Sequence, residues 1–253
     1  MPKLKSFDND FFTFPVGKKQ IYFANNKGQK TYIKNRMDRL LSKEPETIKW
    51  INSFDRDSVF FDIGANIGIY ALYSAITIQN EVYAFEPHAA SYKNLLDSIN
   101  LNNLNNCNAY CVAVSDKVNL STINVKNMHE GVANNVVGKK GEYYHGCTEF
   151  SLNFLIERKI LPQPDYIKID VDGFEDKVVE GGMNVFKKAK SANIGEVIVA
   201  SGDKEIIDDV KSNGGNAILT SKQPKTGTDR IYEAFKKLNR NDVDFIMNIQ
   251  GDE

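Results

Sequence analysis

The chain has 253 residues, of which 42% are hydrophobic and 26% charged, and its formal net charge is -1. This balance predicts a folded chain with one large or two small cores and excludes a disordered or fibrous one. A net charge so close to zero gives no electrostatic basis for binding nucleic acid or an anionic membrane surface.

The sequence shows no sign of export or membrane insertion. Residues 1–8 lack the apolar run of a signal peptide, and no stretch approaches the ~20 apolar residues of a membrane span. We therefore expect a cytoplasmic protein with no membrane span. The three cysteines, Cys107, Cys111 and Cys147, lack C-x-x-C spacing, which argues against a zinc site or a disulfide framework.

The pattern of apolar residues predicts an α/β protein. Aromatic and β-branched residues over 11–33 predict a hairpin with its turn at 25–28, followed by a helix near 46–53. Buried strands are then predicted near 59–63, 81–86, 108–114, 166–171, 196–200, 215–220 and 244–249. Helical patterns separate most of them, which is typical of a parallel sheet.

The strand and helix rhythm lapses between 116 and 164. The segment 124–147 is rich in Asn, Gly and Lys, and it is long for a connection inside a compact domain. Loops of this length are usually functional or disordered. We predict that the segment 124–147 forms the wall of the functional site that binds the acceptor substrate.

The most informative stretch is the strand and turn over 60–68, FFDIGANIG. Gly64 can adopt backbone angles closed to other residues, and Gly68 allows the start of the next helix to approach strand and ligand closely. We expect the first N–H groups of that helix to point into the gap, where a cofactor could lie against bare backbone.

Two later strands end in carboxylates. The strand over 82–87 ends at Glu86, about 20 residues past the glycines, where an acidic side chain can accept hydrogen bonds from ribose hydroxyls. The strand over 165–171 carries Asp170, Asp172 and Glu175 at its C-terminal end. In open α/β sheets, ligands bind at this end of the strands.

At these residues the chain resembles the FkbM-type family of S-adenosylmethionine-dependent methyltransferases. The resemblance covers about 18–182 and includes FDIGANIG, AFEP, the helix over 95–102, AVSD at 113–116 and IKIDVDGFE at 167–175. It implies a Rossmann-like methyltransferase fold. An NAD enzyme is the main alternative, but its G-x-G-x-x-G fingerprint is absent because position 66 is Asn.

The resemblance also implies where the cofactor binds. Asp62, Gly64 and Gly68 would surround its methionine part, Glu86 would bind its ribose, and Ser115 and Asp116 would lie near its adenine. The full set of expected cofactor-binding residues is Asp62, Gly64, Ala65, Asn66, Gly68, Glu86, Pro87, Ser115 and Asp116.

Methylation of a hydroxyl requires a group that accepts the proton. The candidate bases are Asp170, Asp172 and Glu175, with His88 as a second choice. Asp170 could instead cap a backbone turn, and Glu175 could be a first-turn carboxylate favoured by the helix dipole. A divalent cation such as magnesium, held by Asp170 and Asp172, is a further alternative.

A second resemblance begins near 185. The segment 185–253 is similar to an internal part of 3-deoxy-manno-octulosonate (Kdo) cytidylyltransferases, on the residues LTS at 219–221, TGTDRI at 226–231 and NIQGDE at 248–253. The glycine- and arginine-containing nucleotide loop of that family is absent. The sequence ends inside the NxQGDEP motif, with Asp252 at the position of a magnesium ligand, so we expect an inactive fragment.

We therefore predict a cap over 1–55, a methyltransferase domain over 56–184 and a cytidylyltransferase-like segment over 185–253. The fold should be a doubly wound, mostly parallel α/β sheet, with the last segment adding its strands beside the strand at 167–171. The predicted function is S-adenosylmethionine-dependent O-methylation of a sugar or glycan; the alternative is Kdo cytidylyltransferase. A gene fusion and a sequence chimera both remain open, and the sequence predicts no oligomeric state.

Overall fold

The computed structural model describes residues 11–25, 45–125, 136–138, 143–171, 173–182, 184, 198–201, 204–212, 216–221 and 227–239. Several predictions fall wholly or partly outside the described residues, including Asp172, residues 26–28 of the predicted hairpin turn, much of the segment 124–147, the strand at 244–249 and Asp252.

The described chain contains twelve strands and seven helices. The strands are β1 Phe11–Val16, β2 Lys19–Ala24, β3 Val59–Ile63, β4 Glu81–Phe85, β5 Cys107–Tyr110, β6 Ala113–Ser115, β7 Asn119–Val125, β8 Val136–Val137, β9 Tyr143–Ser151, β10 Tyr166–Ile169, β11 Ile198–Ser201 and β12 Asn216–Leu219. The helices are α1 Pro45–Ile51, α2 Ile69–Thr77, α3 Ala89–Leu101, α4 Leu152–Glu157, α5 Glu175–Gly181, α6 Lys204–Ser212 and α7 Gly227–Leu238.

The central sheet has four parallel strands in the order β10-β3-β4-β5. Helices α2 and α3 pack on one face, through Leu72 and Leu95 against Phe60. Helices α4 and α5 pack on the other, through Leu155 and Val178. Adjacent residues of one strand point to opposite faces, so the apolar run of β3 is buried on both sides. The predicted doubly wound, mostly parallel α/β fold is confirmed.

The chain order of this sheet reverses at β3. The chain runs outward from β3 through β4 to β5 and later returns to place β10 on the other side of β3. Such a reversal opens a crevice beyond the carboxyl ends of the two strands, and ligands of open α/β sheets bind there.

The N-terminal hairpin differs from the prediction in its turn. Its strands β1 and β2 pair with Val16 opposite Lys19, so the turn that joins them lies at 17–18 and not at 25–28, where residues 26–28 lie outside the described part of the chain. The positive φ of Gly17 favours this position. The hairpin packs on α3, where Ser98 Oγ accepts from the backbone N–H of Ala24 at 2.9 Å.

A second sheet, of order β6-β9-β7-β8, follows the central one. The predicted strand at 108–114 is divided between the two sheets as β5 and β6. The predicted long loop at 124–147 was also wrong in part, since nine of its residues belong to β7, β8 and β9, while 126–135 and 139–142 lie outside the described residues. The alternation of buried Ile123 and Val125 with polar neighbours on β7 explains the strand.

The C-terminal strands do not extend the central sheet as expected. β11 pairs in parallel with β12, with Ile198 opposite Asn216, and the two form a separate two-stranded sheet. The intervening α6 makes β11-α6-β12 a parallel strand-helix-strand unit. Within the described part of the chain, no helix is both long and apolar enough to cross a membrane.

Candidate functional site

The turn between β3 and α2 is held in a shape that requires glycine. Gly64 has a φ of +80°, and a Cβ atom there would lie 1.9 Å from the carbonyl oxygen of Asp170. Gly68 has a φ of +82°, and a Cβ atom there would lie 2.2 Å from Leu95 Cδ1. The turn therefore lies directly against the end of β10 on one side and against α3 on the other.

The N–H groups of this turn bond within the protein. Those of Gly64 and Ala65 both donate to Phe85 O at 3.0 Å, and that of Asn66 donates to Glu86 Oε2 at 2.7 Å. The N–H of Ala71, in the first turn of α2, donates to Asp62 Oδ2 at 3.1 Å. These four groups therefore do not point freely into the gap, because the ends of β3 and β4 supply acceptors for them.

Glu86 lies at the end of β4 and braces two backbone segments. Its Oε2 accepts from Asn66, while its Oε1 accepts from the backbone N–H of His88 at 2.8 Å. The side chain is buried at 4% exposure. These charge-assisted bonds fix the carboxylate beside the glycine turn.

A small cleft lies at the carboxyl ends of β3, β4 and β10. It is lined by Ile63, Gly64, Asn66, Phe85, Glu86, Pro87, Val112, Ala113, Val114, Ile123, Val137, Asp170, Val171 and Phe174. Of the expected cofactor residues, this set contains Gly64, Asn66, Glu86 and Pro87. It does not contain Asp62, Ala65, Gly68, Ser115 or Asp116. A larger cavity of about 770 Å³ lies at the opposite ends of the strands, bordered by Arg56 and Leu104.

The apolar wall of the cleft was predicted only in part, because Val137 lies in the segment 124–147 that was expected to form a wall of the site, whereas Ile123 lies just before it. Ile123 of β7 and Val137 of β8 come from the second sheet and pack with Ala113 and Phe174. The alternation of apolar residues over 119–125 was the available signal. It was overlooked because the surrounding segment is rich in Asn and Gly.

Asp62 and Asp170 are joined by a lysine that the sequence analysis also missed. Lys168 Nζ lies 3.5 Å from Asp62 Oδ1 and 3.2 Å from Asp170 Oδ2. Burial raises the pKa of Asp62, and the charge of Lys168 opposes that rise. The signal for Lys168 was a single cation in the apolar strand YIKI.

The acidic residues at the end of β10 differ in their surroundings. The side chain of Asp170 is 50% exposed and lines the cleft. Glu175 is buried, and its Oε1 accepts from the backbone N–H groups of Val171 at 3.2 Å and Gly173 at 3.3 Å, so it caps the turn before α5, a role that the sequence analysis had considered for Asp170 and not for Glu175. Among the described residues, which exclude Asp172, no group of three or more His, Cys, Asp or Glu is arranged to hold a metal ion.

His88 is buried beside the cleft and does not line it. Its Nδ1 lies 3.0 Å from Ser91 Oγ, and its ring stacks on that of His145 from β9 at 5.8 Å. Burial lowers the pKa of His88 to about 4, and His145 contributes to the shift. His88 is therefore neutral near pH 7, and its position does not favour a role as the base.

Ser115 and Asp116 lie at the end of β6, away from the cleft lining. Ser115 Oγ is within 2.6 Å of Glu149 Oε2 and within 3.0 Å of Asp116 Oδ1. Asp116 also pairs with Lys177 of α5 at 3.4 Å. These contacts join β6 to β9 and α5.

The residues that line the cleft suit S-adenosylmethionine chemically, but the volume of the cleft is too small to hold it. The buried Glu86 carboxylate suits ribose hydroxyls, and Ile123, Val137 and Phe174 form an apolar wall suited to an adenine ring. The cleft holds about 50 Å³, well below the ~300 Å³ of typical ligand pockets. The cofactor would therefore require this wall to withdraw.

The sequence comparisons agree with this geometry. A family model described as "Methyltransferase FkbM domain" matches residues 62–210, which include the glycine turn, Glu86 and the β10 carboxylates. The chain belongs to the FkbM methyltransferase family. The expected resemblance to this family is confirmed, with a match that begins at 62 instead of about 18 and ends at 210 instead of about 182.

A second family model, "Cytidylyltransferase", matches residues 184–253 and overlaps the first. The chain is 48% identical over 69 residues to the 3-deoxy-manno-octulosonate cytidylyltransferase of Rickettsia typhi, covering 27% of this chain and 29% of that protein. It is 41% identical over 91 residues to that of Fusobacterium nucleatum, covering 35% and 36%. The chain thus spans about a third or less of the length of these curated relatives.

Solved structures with a related arrangement include a precorrin-6y C5,15-methyltransferase from Geobacter metallireducens. It is 14% identical, with 63% of this chain and 60% of that chain covered and a TM-score of 0.34. TYW2 from P. horikoshii, in complex with MeSAdo, is 16% identical, with 41% and 36% covered and a TM-score of 0.29. At such scores the likeness carries no inference about function.

Proposed function

We propose that this protein transfers a methyl group from S-adenosylmethionine to a hydroxyl of a sugar or glycan. The observation that best supports cofactor binding is the buried Glu86 carboxylate, which shares one cleft with Gly64 and Asn66 in a chain of the FkbM family. A carboxylate has about four acceptor positions. Glu86 can therefore brace the turn and also accept hydrogen bonds from ribose hydroxyls.

We assign the role of base to Asp170. Its side chain is half exposed at the mouth of the cleft, whereas Glu175 is engaged by two backbone N–H groups. When bound, S-adenosylmethionine supplies an electrophilic methyl carbon on a sulfonium. Asp170 would accept the acceptor hydroxyl's proton as the new O–C bond forms and S-adenosylhomocysteine leaves. The position of the Asp170 backbone would place this carboxylate beside the acceptor hydroxyl, and such orientation of reacting groups lowers the reaction barrier.

The charge of the chain and its C-terminal similarity point to the class of acceptor. A small or saccharide acceptor is favoured by the net charge of -1, because RNA binding draws on a positive field. The similarity of 184–253 to enzymes that activate Kdo also points to carbohydrate metabolism. Transfer of tritium from methyl-labelled S-adenosylmethionine to a panel of saccharides, with tRNA as the comparison, tests the assignment. Labelling of tRNA alone would contradict the saccharide assignment and would identify RNA as the acceptor class.

The segment 184–253 raises cytidylyl transfer as a second candidate function, because it matches the cytidylyltransferase family model. One motif of that resemblance, LTS at 219–221, is bonded to the helix that carries most of the TGTDRI motif, since Glu233 of α7 accepts from both the N–H and the Oγ of Ser221, at 2.8 and 2.7 Å. Lys237 also donates to Leu219 O at 2.9 Å. We propose that these contacts preserve part of a cytidylyltransferase fold that lacks the activity. Kdo-dependent release of pyrophosphate from CTP tests this.

A further inference from the structure

Lys168 is a cation almost fully buried in the central sheet, with 7% of its surface exposed. It lies on β10 opposite Asp62 of β3, and its ammonium also lies 5.0 Å from the centre of the Tyr70 ring on α2. Two carboxylates within 3.5 Å and an aromatic face offset the loss of hydration that burial of an ammonium entails. Lys168 is therefore held between two carboxylates, those of Asp62 and Asp170.

Asp62, the buried partner of Lys168, is held in place by a backbone hydrogen bond. Asp62 is fully buried, and its Oδ2 accepts from the N–H of Ala71 at the start of α2. Its Oδ1 is directed at Lys168. One carboxylate thus ties the lysine to the junction of β3 and α2.

The outer partner of Lys168 is fixed in its backbone. Asp170 donates its N–H to Ile63 O at 3.0 Å, and its carbonyl oxygen lies against Gly64. Its side chain is half exposed in the cleft, so packing alone does not select its rotamer. The 3.2 Å contact with Lys168 Nζ supplies a directed interaction.

We propose that Lys168 is a positioning residue for methyl transfer, which holds the Asp170 carboxylate toward the cleft while anchored on buried Asp62. The inference rests on the proposed function, because it gives Asp170 the role of base. A lysine that served only to stabilise the fold would lower stability when removed, with no separate effect on Asp170.

A double-mutant cycle tests the inference in the full chain. Lys168→Met keeps most of the length of the side chain and removes the charge, and Lys168→Arg keeps the charge. We expect Lys168→Met to lower kcat about tenfold to hundredfold and to leave the Kd for S-adenosylhomocysteine nearly unchanged. The loss should disappear in an Asp170→Asn background, and Lys168→Arg should recover part of the rate. An equal loss in both backgrounds would overturn the proposal.

A crystal structure of Lys168→Met without cofactor provides a second test that needs no acceptor. We expect the Asp170 carboxylate to leave its present rotamer or to occupy two conformers, and an unmoved carboxylate would contradict the inference. Asp62→Asn, which keeps an acceptor for Ala71, serves if Lys168→Met does not fold, and the same displacement is expected. Failure of the wild type to bind S-adenosylhomocysteine would refute the proposed function separately.

Discussion

The imidazole of His145 accepts a hydrogen bond at Nε2 from the backbone N–H of Ala89, at 3.3 Å. Its Nδ1 lies 2.9 Å from Gly146 O, which can only accept. The two bonds together require the neutral form with the proton on Nδ1. They join β9 of the second sheet to the start of α3, three residues beyond Glu86.

This tautomer gives a direct prediction about the second sheet. His145→Gln retains an acceptor within reach of Ala89, whereas His145→Leu does not. We expect His145→Leu to increase hydrogen exchange at the Ala89 amide and along β9, while His145→Gln stays close to the wild type. Nitrogen chemical shifts of the ring in wild-type protein that report a proton on Nε2 would refute the assignment.

The depressed pKa of His88 predicts a loss of stability in acid. The unfolded chain takes up a proton near pH 6.5, while folded His88 stays neutral down to about pH 4. Its contribution is therefore fully present above pH 6.5 and is lost as the pH falls toward 4, by at most about 3 kcal/mol. Urea unfolding of wild type and His88→Asn between pH 7.5 and 4.5 measures it. Parallel pH profiles for the two proteins would contradict the prediction.

The close approach of Gly64 to Asp170 predicts an unequal response of two glycines. Both Gly64 and Gly17 have positive φ, but a Cβ at Gly17 meets nothing within 4 Å. We expect Gly17→Ala to lower the free energy of unfolding by about 1–2 kcal/mol, from backbone strain alone. Gly64→Ala should cost more than this, because the end of β10 must also move. Equal losses in denaturant unfolding would mean that the turn and β10 are not tightly packed.

We predict that the chain does not synthesise CMP-Kdo. Nucleotidyl transfer requires groups that hold the triphosphate in line and neutralise developing charge. The match to the Rickettsia typhi enzyme spans only 29% of that protein's length. Incubation with CTP, Kdo and magnesium should give background pyrophosphate. Kdo-dependent pyrophosphate in proportion to protein would make the second candidate function the correct one.

Much of the central sheet was predictable because its signals are local. The apolar run ending in Gly64 and the strand ending in Glu86 both determine strand, turn and direction within a few residues. The turn between β1 and β2 was predicted at 25–28 because Asn25 and the residues after it have strong turn propensity, whereas the turn forms at Gly17, which adopts a positive φ. Propensity alone did not decide between these two positions.

The parts of the site that were missed depend on contacts distant in sequence. Ile123 lines the cleft because β7 pairs with β9, and Lys168 matters because β10 pairs with β3. Neither pairing is encoded in the neighbouring residues. The occupied N–H groups of the glycine turn have the same origin, since their acceptors, Phe85 O and Glu86, belong to the next strand.

Calorimetric titration of S-adenosylhomocysteine into the wild type and into Glu86→Ala tests the central claim most directly. Glu81→Ala is the matched control, because Glu81 begins the same strand at the end remote from the cleft. We expect the wild type and Glu81→Ala to bind alike, and Glu86→Ala to bind about tenfold to hundredfold more weakly, because a bond to a charged acceptor contributes about 1.5–3 kcal/mol. Circular dichroism confirms that each variant is folded. No binding by the wild type, or equal binding by folded Glu86→Ala, would contradict the assignment of this cleft to the cofactor.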